Sequence, residues 1–176
     1  MSEDQDEKRS IKILGNHNKY LIKKANKVKK REEKICVLPT ISHHNQRNII
    51  NQIFMQEQCE KSELFIVEIQ KKINGYKQQD KKKKIYDDEQ IISTDETIEK
   101  LVISKLSCHY CRSNLFILYN NNLEKKQWTL DRINNDLCHS CDNTVICCLE
   151  CNLKRRNTNK EKFEFTKKLK IIKNHD

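Results

Sequence analysis

Three C-x-x-C pairs constrain the fold of this chain more than any other feature of its sequence. Two residues between cysteines let a tight turn present both thiolates to one ion, and two such turns complete the tetrahedral shell that zinc prefers. Seven of the nine cysteines lie in one short stretch, which favours a shared metal site over isolated buried thiols. The three pairs are Cys108/Cys111, Cys138/Cys141 and Cys148/Cys151.

The setting of these cysteines also favours metal over disulfides. An odd number of cysteines fits a disulfide framework poorly, and a reducing compartment disfavours one. The first ten residues are acidic and polar, unlike a secretory signal. The longest apolar runs, such as 115–119, are too short to span a membrane. We therefore expect a soluble intracellular protein that is not secreted and does not cross a membrane, with nucleus, cytoplasm and viral factory all compatible.

The spacing favours one ligand set and leaves two alternatives open. The outer pairs, Cys108 and Cys111 with Cys148 and Cys151, flank a segment long enough for a hairpin and a loop, so we expect them to hold a structural zinc. Such a site contributes about 10–16 kcal/mol of binding energy coupled to folding. Cys147 is an alternative to Cys148 as a ligand. Cys138 and Cys141 are then free, or contribute to a second site with a nearby histidine.

The charge of the chain favours a polyanionic partner. Lysine and arginine number 35 against 25 acidic residues, which gives a net charge of +10. An excess of that size points to nucleic acid first and to an anionic membrane surface second. The richness in lysine, asparagine and isoleucine also arises in an A/T-rich genome, so charge alone does not identify a partner. The hydrophobic content of 36% excludes a large two-domain enzyme.

The sequence before the cysteines is predicted to be mostly helical. Residues 1–40 form a basic and flexible arm, and residues 41–104 form a helical region. Apolar residues at spacings of three and four over 48–73 predict one or two amphipathic helices. The lysine run 81–84 is expected to be a solvated connection. Ser93 and Glu96 form a capping box that begins the helix leading into the cysteine-rich segment.

Residues 105–176 are predicted to contain a strand, a loop, a second strand and a helix. Residues 128–133 alternate between apolar and polar side chains, which is typical of a strand. A polar loop follows, residues 145–147 form a returning strand, and a helix begins at 151–156. The tail after this helix is strongly basic and is expected to form a C-terminal helix.

This order of elements resembles the zinc-containing branch of the HNH (ββα-metal) endonuclease family. The resemblance is carried by Cys108-x-x-Cys111, residues 130–133, residues 142–145 and Cys148-x-x-Cys151-Asn152, and it covers roughly residues 105–160. It implies an α+β fold, in which a small zinc-stabilised ββα-metal domain follows the basic, mostly helical N-terminal region.

The resemblance also implies a second metal and a reaction. Asp131 and Asn152 occupy the positions that bind a catalytic divalent cation in the family, and their oxygen atoms suit Mg²⁺ or Mn²⁺. Asn143 matches the loop asparagine that orients the catalytic strand. Turn formation and helix capping are the alternative roles of Asp131 and Asn152.

The chain departs from the family at the general base. The family's histidine follows the aspartate directly, and Arg132 stands there instead. A guanidinium does not deprotonate water at neutral pH, although it can clamp a phosphate. His139 is the nearby imidazole that could act as the base, and a structural role is its alternative. Cys138 occupies a loop position where the family often has glycine.

These features predict a metal-dependent endonuclease that hydrolyses phosphodiester bonds in DNA. Lys154, Arg155 and Arg156 are expected to contact phosphates beside the scissile bond. Two other functions stay open. One is a non-catalytic zinc module that binds nucleic acid, which Arg132 favours. The other is a zinc-organised protein–protein adaptor.

Overall fold

A computed structural model describes residues 38–169, together with 14–16, 18–19 and 21–22. The predicted basic arm, 1–40, lies largely outside the described residues. Over residues 38–169 the chain combines helices with one small antiparallel sheet, which confirms the mixed α+β class. In chain order the elements are α1 (His43–Phe54), α2 (Ser62–Lys83), α3 (Thr94–Ile103), β1 (Trp128–Arg132), β2 (Thr144–Cys148), α4 (Leu149–Arg155) and α5 (Lys160–Lys168).

The start of α3 is fixed by the predicted capping box. The Ser93 hydroxyl accepts from the Glu96 N–H at 3.2 Å, and the Glu96 carboxylate accepts from the Ser93 N–H at 2.8 Å. Two of the unsatisfied donors at the helix start are thereby bonded. The hydrogen bond from the Ser93 backbone lowers the pKa of Glu96 below its ordinary value.

Helix α2 is longer than its sequence suggests, and the prediction of a solvated connection at 81–84 is wrong. The helix runs to Lys83 and ends at Lys84, which adopts a left-handed conformation with φ 58°. The reason lies on its inner face, where Tyr76 and Asp80 are buried one turn apart. Burying Asp80 with hydrogen-bonding partners keeps the last turns helical despite the run of lysines.

The two strands pair as an antiparallel hairpin joined by a loop. Trp128 lies opposite Cys148, Leu130 opposite Ile146 and Arg132 opposite Thr144. Every residue of β1 is buried, so its alternation of apolar and polar side chains does not correspond to one solvated face. The polar side chains of β1 therefore need partners inside the protein.

One hydrophobic core joins the helical region to the cysteine-rich segment. Fully buried members include Ile50 of α1, Ile69 of α2, Leu101 of α3 and Trp128 of β1. The core is therefore continuous across the boundary predicted at 104/105. Among the described residues, no helix has both the length and the apolar character needed to cross a bilayer.

Candidate metal centre and cationic cleft

Four cysteines form a compact cluster at the base of the hairpin. The Sγ atoms of Cys108, Cys111, Cys148 and Cys151 all lie within 4.8 Å of one another. The distance from Cys111 Sγ to Cys148 Sγ is 3.8 Å. Four thiolates at zinc-bond length sit about 3.8 Å apart in a tetrahedron, so this spacing matches such a site. The favoured ligand set is thus confirmed as positioned to hold a metal ion.

Local backbone structure delivers each thiol to the cluster. A turn between α3 and the hairpin carries the first pair, and the Arg112 N–H donates to the Cys108 carbonyl at 3.0 Å. Cys148 ends β2, and Cys151 lies in the first turn of α4. The Cys148 N–H donates to Cys108 Sγ, and the Cys151 N–H donates to Cys148 Sγ, each at 3.3 Å. Such N–H donors are typical stabilisers of thiolates.

The electrostatics of the cluster favour a divalent cation. A hydrogen bond from the Cys148 thiol lowers the pKa of Cys108 to about 4. Burial instead raises the pKa of Cys151 to about 12. The first thiolate therefore makes further ionisation costly unless a cation balances the charge. Zn²⁺ would supply that charge, and the residues fit it in number, type and spacing.

The structure places the other cysteines of this segment outside the four-thiol cluster. Cys147 points away from the cluster, with its Sγ 3.3 Å from Thr129 Oγ1, because successive strand residues face opposite sides. It does not replace Cys148. Cys138 and Cys141 do not join any group of three metal-ligating side chains among the described residues. Burial raises the pKa of both thiols. The second site, which the sequence left open as an alternative, therefore gains no support from the described residues.

The carboxylate of Asp131 is fully engaged within the protein. The Tyr110 hydroxyl donates to Oδ2 at 2.5 Å, and Arg155 donates to Oδ1 at 2.7 Å. Asp131 is only 4% exposed, and burial raises its pKa above the ordinary range. A catalytic cation would have to displace the guanidinium to reach this carboxylate.

Arg155 lies inside the protein instead of on the surface where the sequence placed it. Its side chain is 1% exposed and also donates to the carbonyls of Arg132 at 2.7 Å and Ile133 at 2.9 Å. These contacts tie α4 to the end of β1. The expected phosphate contact from Arg155 is therefore incorrect, because the guanidinium is buried and donates to one carboxylate and two carbonyls.

Asn152 faces the same strand. Its amide Nδ2 donates to Thr129 Oγ1 at 3.1 Å and to the Leu130 carbonyl at 3.2 Å. These bonds hold the first turns of α4 against β1. With Asp131 bonded to Arg155 and Tyr110, the structure gives no support to a catalytic Mg²⁺ or Mn²⁺ at these two residues.

Asn143 fastens the loop between the strands. Its amide donates to the carbonyls of Asn134 and Cys138, both at 2.9 Å, and its oxygen accepts from the Asn134 N–H at 2.8 Å. The Ile133 N–H donates to the Asn143 carbonyl at 2.8 Å. A side chain with both donor and acceptor is needed to bond both ends of this loop.

A cationic cleft of about 690 Å³ opens between α2, β1 and α4. Its lining contains four basic side chains, and among the described residues that line it the single carboxylate is Asp131. Arg155 pairs with that carboxylate, and Arg132 lies 3.5 Å from the buried Asp80 carboxylate, so the exposed positive charge of the cleft lies at Lys83 and Arg156. The four basic residues are Lys72, Lys83, Arg132 and Arg156.

These cations divide into two held in place and two exposed. Lys72 donates to Gln127 Oε1 at 3.0 Å and to the Trp128 carbonyl. Arg132 is 6% exposed and donates to the Leu137 carbonyl at 3.1 Å. Lys83 and Arg156 are exposed at the rim. A ligand entering the cleft therefore first meets the positive charges of Lys83 and Arg156.

Lys154 lies outside this cleft. It is exposed and bonds the Glu150 carboxylate at 2.7 Å, one turn back on α4. Of the three basic residues predicted to contact phosphate, Arg156 alone is exposed in the cleft.

His139 meets a buried partner that the sequence analysis missed. Its Nδ1 lies 2.8 Å and 2.9 Å from the two carboxylate oxygens of Asp80, and its backbone N–H donates to the same carboxylate at 2.8 Å. The ring stacks on Tyr76 with centroids 4.6 Å apart. Asp80 was detectable in principle, because Ile69, Ile73, Tyr76 and Asp80 continue one helix face at spacings of four, three and four.

The surroundings keep the His139 ring neutral at neutral pH. Burial lowers its pKa below the ordinary value, and the nearby Arg132 and Lys83 act in the same direction. The Asp80 carboxylate opposes this shift in part. A neutral ring beside a carboxylate carries its proton on Nδ1, which leaves Nε2 as an acceptor.

Comparison with known proteins found no matching family model, no matching curated protein and no matching solved structure.

Proposed function

We propose that this protein is a zinc-stabilised module that binds nucleic acid through its phosphate backbone. The observation that carries the proposal is a cleft lined by four basic side chains, two of them exposed at its rim, in which the single carboxylate among the described lining residues is paired with Arg155. The net charge of +10 supports the same partner. Backbone binding of this kind needs positive charge at fixed positions and does not need a reacting centre.

The zinc in this proposal is structural. Its four ligands join the turn after α3 to the end of β2 and the first turn of α4. Helix α4 carries Asn152 and ends next to Arg156, and both residues line the cleft. Zinc would therefore fix the shape of the binding surface without contacting the ligand.

The binding proposal is tested by the salt dependence of affinity. We would measure binding of a fluorescein-labelled 20-nucleotide RNA and of a DNA duplex by anisotropy, from low to physiological salt. Each phosphate contact contributes roughly −0.7 to −0.9 to the slope of log K against log salt. Arg156→Gln and Lys83→Gln should each weaken binding and reduce the steepness of this slope by about one.

Lys154→Gln is the matched control, because Lys154 is also exposed and basic but bonds Glu150 outside the cleft. It should leave the slope unchanged. Negligible affinity at low salt would refute the proposal and favour a protein–protein adaptor.

Phosphodiester cleavage is a second candidate, favoured by the imidazole of His139 among the residues lining the cleft. Metal-dependent cleavage of DNA, as the family resemblance implies, stays a prediction. It is tested by nicking of supercoiled plasmid with Mg²⁺, Mn²⁺ or EDTA. Nicking that needs the cation and disappears in Asn152→Ala would support it, and would require Arg155 to leave Asp131.

A further inference from the structure

We infer that Asp80 and His139 form a general-base pair that cleaves RNA in the cationic cleft, with the ribose 2′-hydroxyl as the nucleophile. This inference rests on the proposed function, since the RNA must first bind in that cleft. The sequence predicted metal-dependent hydrolysis of DNA by water. The reaction inferred here uses RNA as substrate, its 2′-hydroxyl as nucleophile and the Asp80–His139 pair as base.

The geometry of the pair is that of an oriented base. The Asp80 carboxylate is fully buried, accepts from both the ring and the backbone of His139, and also lies 3.5 Å from the Arg132 guanidinium. Tyr76 stacks on one face of the imidazole, which limits its rotation. A carboxylate that fixes the tautomer of a histidine is the arrangement that presents the opposite nitrogen as a proton acceptor.

The opposite nitrogen, Nε2, is the one left for a ligand, and the cleft reaches it only at the edge of a ring that is buried with 4% of the residue exposed. His139 is among the residues that line the cleft, and its ring is bonded to Asp80 through Nδ1. The titratable and charged groups around the ring are Tyr76, Asp80 and Lys83 from α2, Arg132 from β1 and Cys138 from the loop. Burial lowers the pKa of His139 and keeps Nε2 unprotonated at neutral pH.

The choice of RNA follows from the nucleophile. The carboxylate that would hold a water-activating cation already bonds Arg155 and Tyr110. In RNA the 2′-hydroxyl is covalently held beside the phosphorus, so it needs a base and charge stabilisation but no captured water. DNA lacks this internal nucleophile.

The step balances as a transesterification. The proton of the 2′-hydroxyl passes to Nε2 of His139, the 2′-oxygen bonds phosphorus, and the bond from phosphorus to the 5′-oxygen breaks. The leaving 5′-oxygen takes a proton from water, and the imidazolium returns its proton to the resulting hydroxide. The products are a 2′,3′-cyclic phosphate and a 5′-hydroxyl end. Lys83 and Arg156 at the rim would bind the phosphate, and Asp80 acts as a positioning residue.

The experiment uses the full-length zinc-loaded protein and a single-stranded 20-nucleotide RNA in buffer without added divalent cations. Products are identified by mass spectrometry, which distinguishes a cyclic phosphate from the ends left by hydrolysis. His139→Asn keeps an amide donor near Asp80 but removes Nε2, so it should reduce the cleavage rate by about 10²–10⁴-fold. His44→Gln changes an exposed histidine on α1 and is the matched control, with an unchanged rate.

Asp80→Asn separates positioning from a merely structural role. The carboxylate raises the pKa of His139, so its loss should move the acidic limb of the rate profile to lower pH while slowing cleavage. A structural role alone would not produce this displacement. Zinc content and the circular dichroism spectrum confirm that each variant is folded.

The outcomes distinguish this inference from the binding proposal. RNA that binds but is not cleaved overturns the inference and leaves the proposed function intact, whereas RNA that does not bind at low salt overturns both. Equal cleavage by His139→Asn, or of an RNA with 2′-O-methyl groups throughout, also overturns the inference. The RNA with 2′-O-methyl groups lacks the proposed nucleophile, so it tests the inference with the wild-type protein even if a variant does not fold.

Discussion

The buried ion pair between Arg155 and Asp131 gives the sharpest test of how this site is held together. We consider Arg155→Met, which keeps most of the length of the side chain but removes the guanidinium. The substitution leaves the Asp131 carboxylate 4% exposed with only Tyr110 as a donor. It also leaves the carbonyls of Arg132 and Ile133 without their donor.

The expected cost follows from this geometry. Removing one member of a buried ion pair typically costs about 3–5 kcal/mol, because the remaining charge is uncompensated. The value should fall in the upper part of that range, since two carbonyls lose a charged donor as well. Adding Asp131→Asn removes the stranded charge, so the double variant should be more stable than Arg155→Met alone.

The cost should also depend on pH. Burial already raises the pKa of Asp131, and losing Arg155 raises it further. A raised folded-state pKa means that stability is highest below the unfolded value and falls as pH rises through the folded value. The destabilisation by Arg155→Met should therefore be larger at pH 7 than at pH 4.5, where part of the carboxyl is protonated.

Urea unfolding of the zinc-loaded protein at the two pH values measures these differences. Lys154→Met is the control, because it removes the neighbouring but exposed pair with Glu150 and should leave the midpoint nearly unchanged. Equal small effects of both substitutions, or a double variant less stable than Arg155→Met, would refute the reasoning from the buried pair.

The remaining predictions concern the metal and the core. Cys148→Ser should reduce bound zinc, measured by mass spectrometry, whereas Cys147→Ser should keep one zinc per chain because its thiol faces Thr129. Gln46→Leu should destabilise the protein by about 2–4 kcal/mol in urea unfolding, since the Gln46 carboxamide oxygen accepts from two buried N–H groups that leucine would leave unsatisfied. Ser93→Ala should cost about 1 kcal/mol by losing the helix cap, and no change in the melting temperature would contradict this.

The sequence alone determined the features that depend on near neighbours. The C-x-x-C spacing predicted a metal site, and the length of the segment between the outer pairs favoured the four thiols that meet. The capping box at Ser93 and the two strands were also predicted from near neighbours. The box is a contact between residues three apart, and a strand shows as alternation of apolar and polar side chains along a few residues. The extension of α2 through 81–84 was missed, because the buried side chains that support it find their partners far along the chain.

Tertiary structure decided which charges face inward. The bond from Arg155 to Asp131 spans 24 residues and that from His139 to Asp80 spans 59. The sequence places Asp80 on the buried face of α2 but does not identify its partner, and Arg155 looks the same in a basic helix whether it meets solvent or a carboxylate. Packing of α2 and α4 against β1 brings these groups together, and the cost of burying a lone charge then selects the partner. The composition thus determined how much positive charge the protein carries, while the packing determined which part of it reaches a ligand.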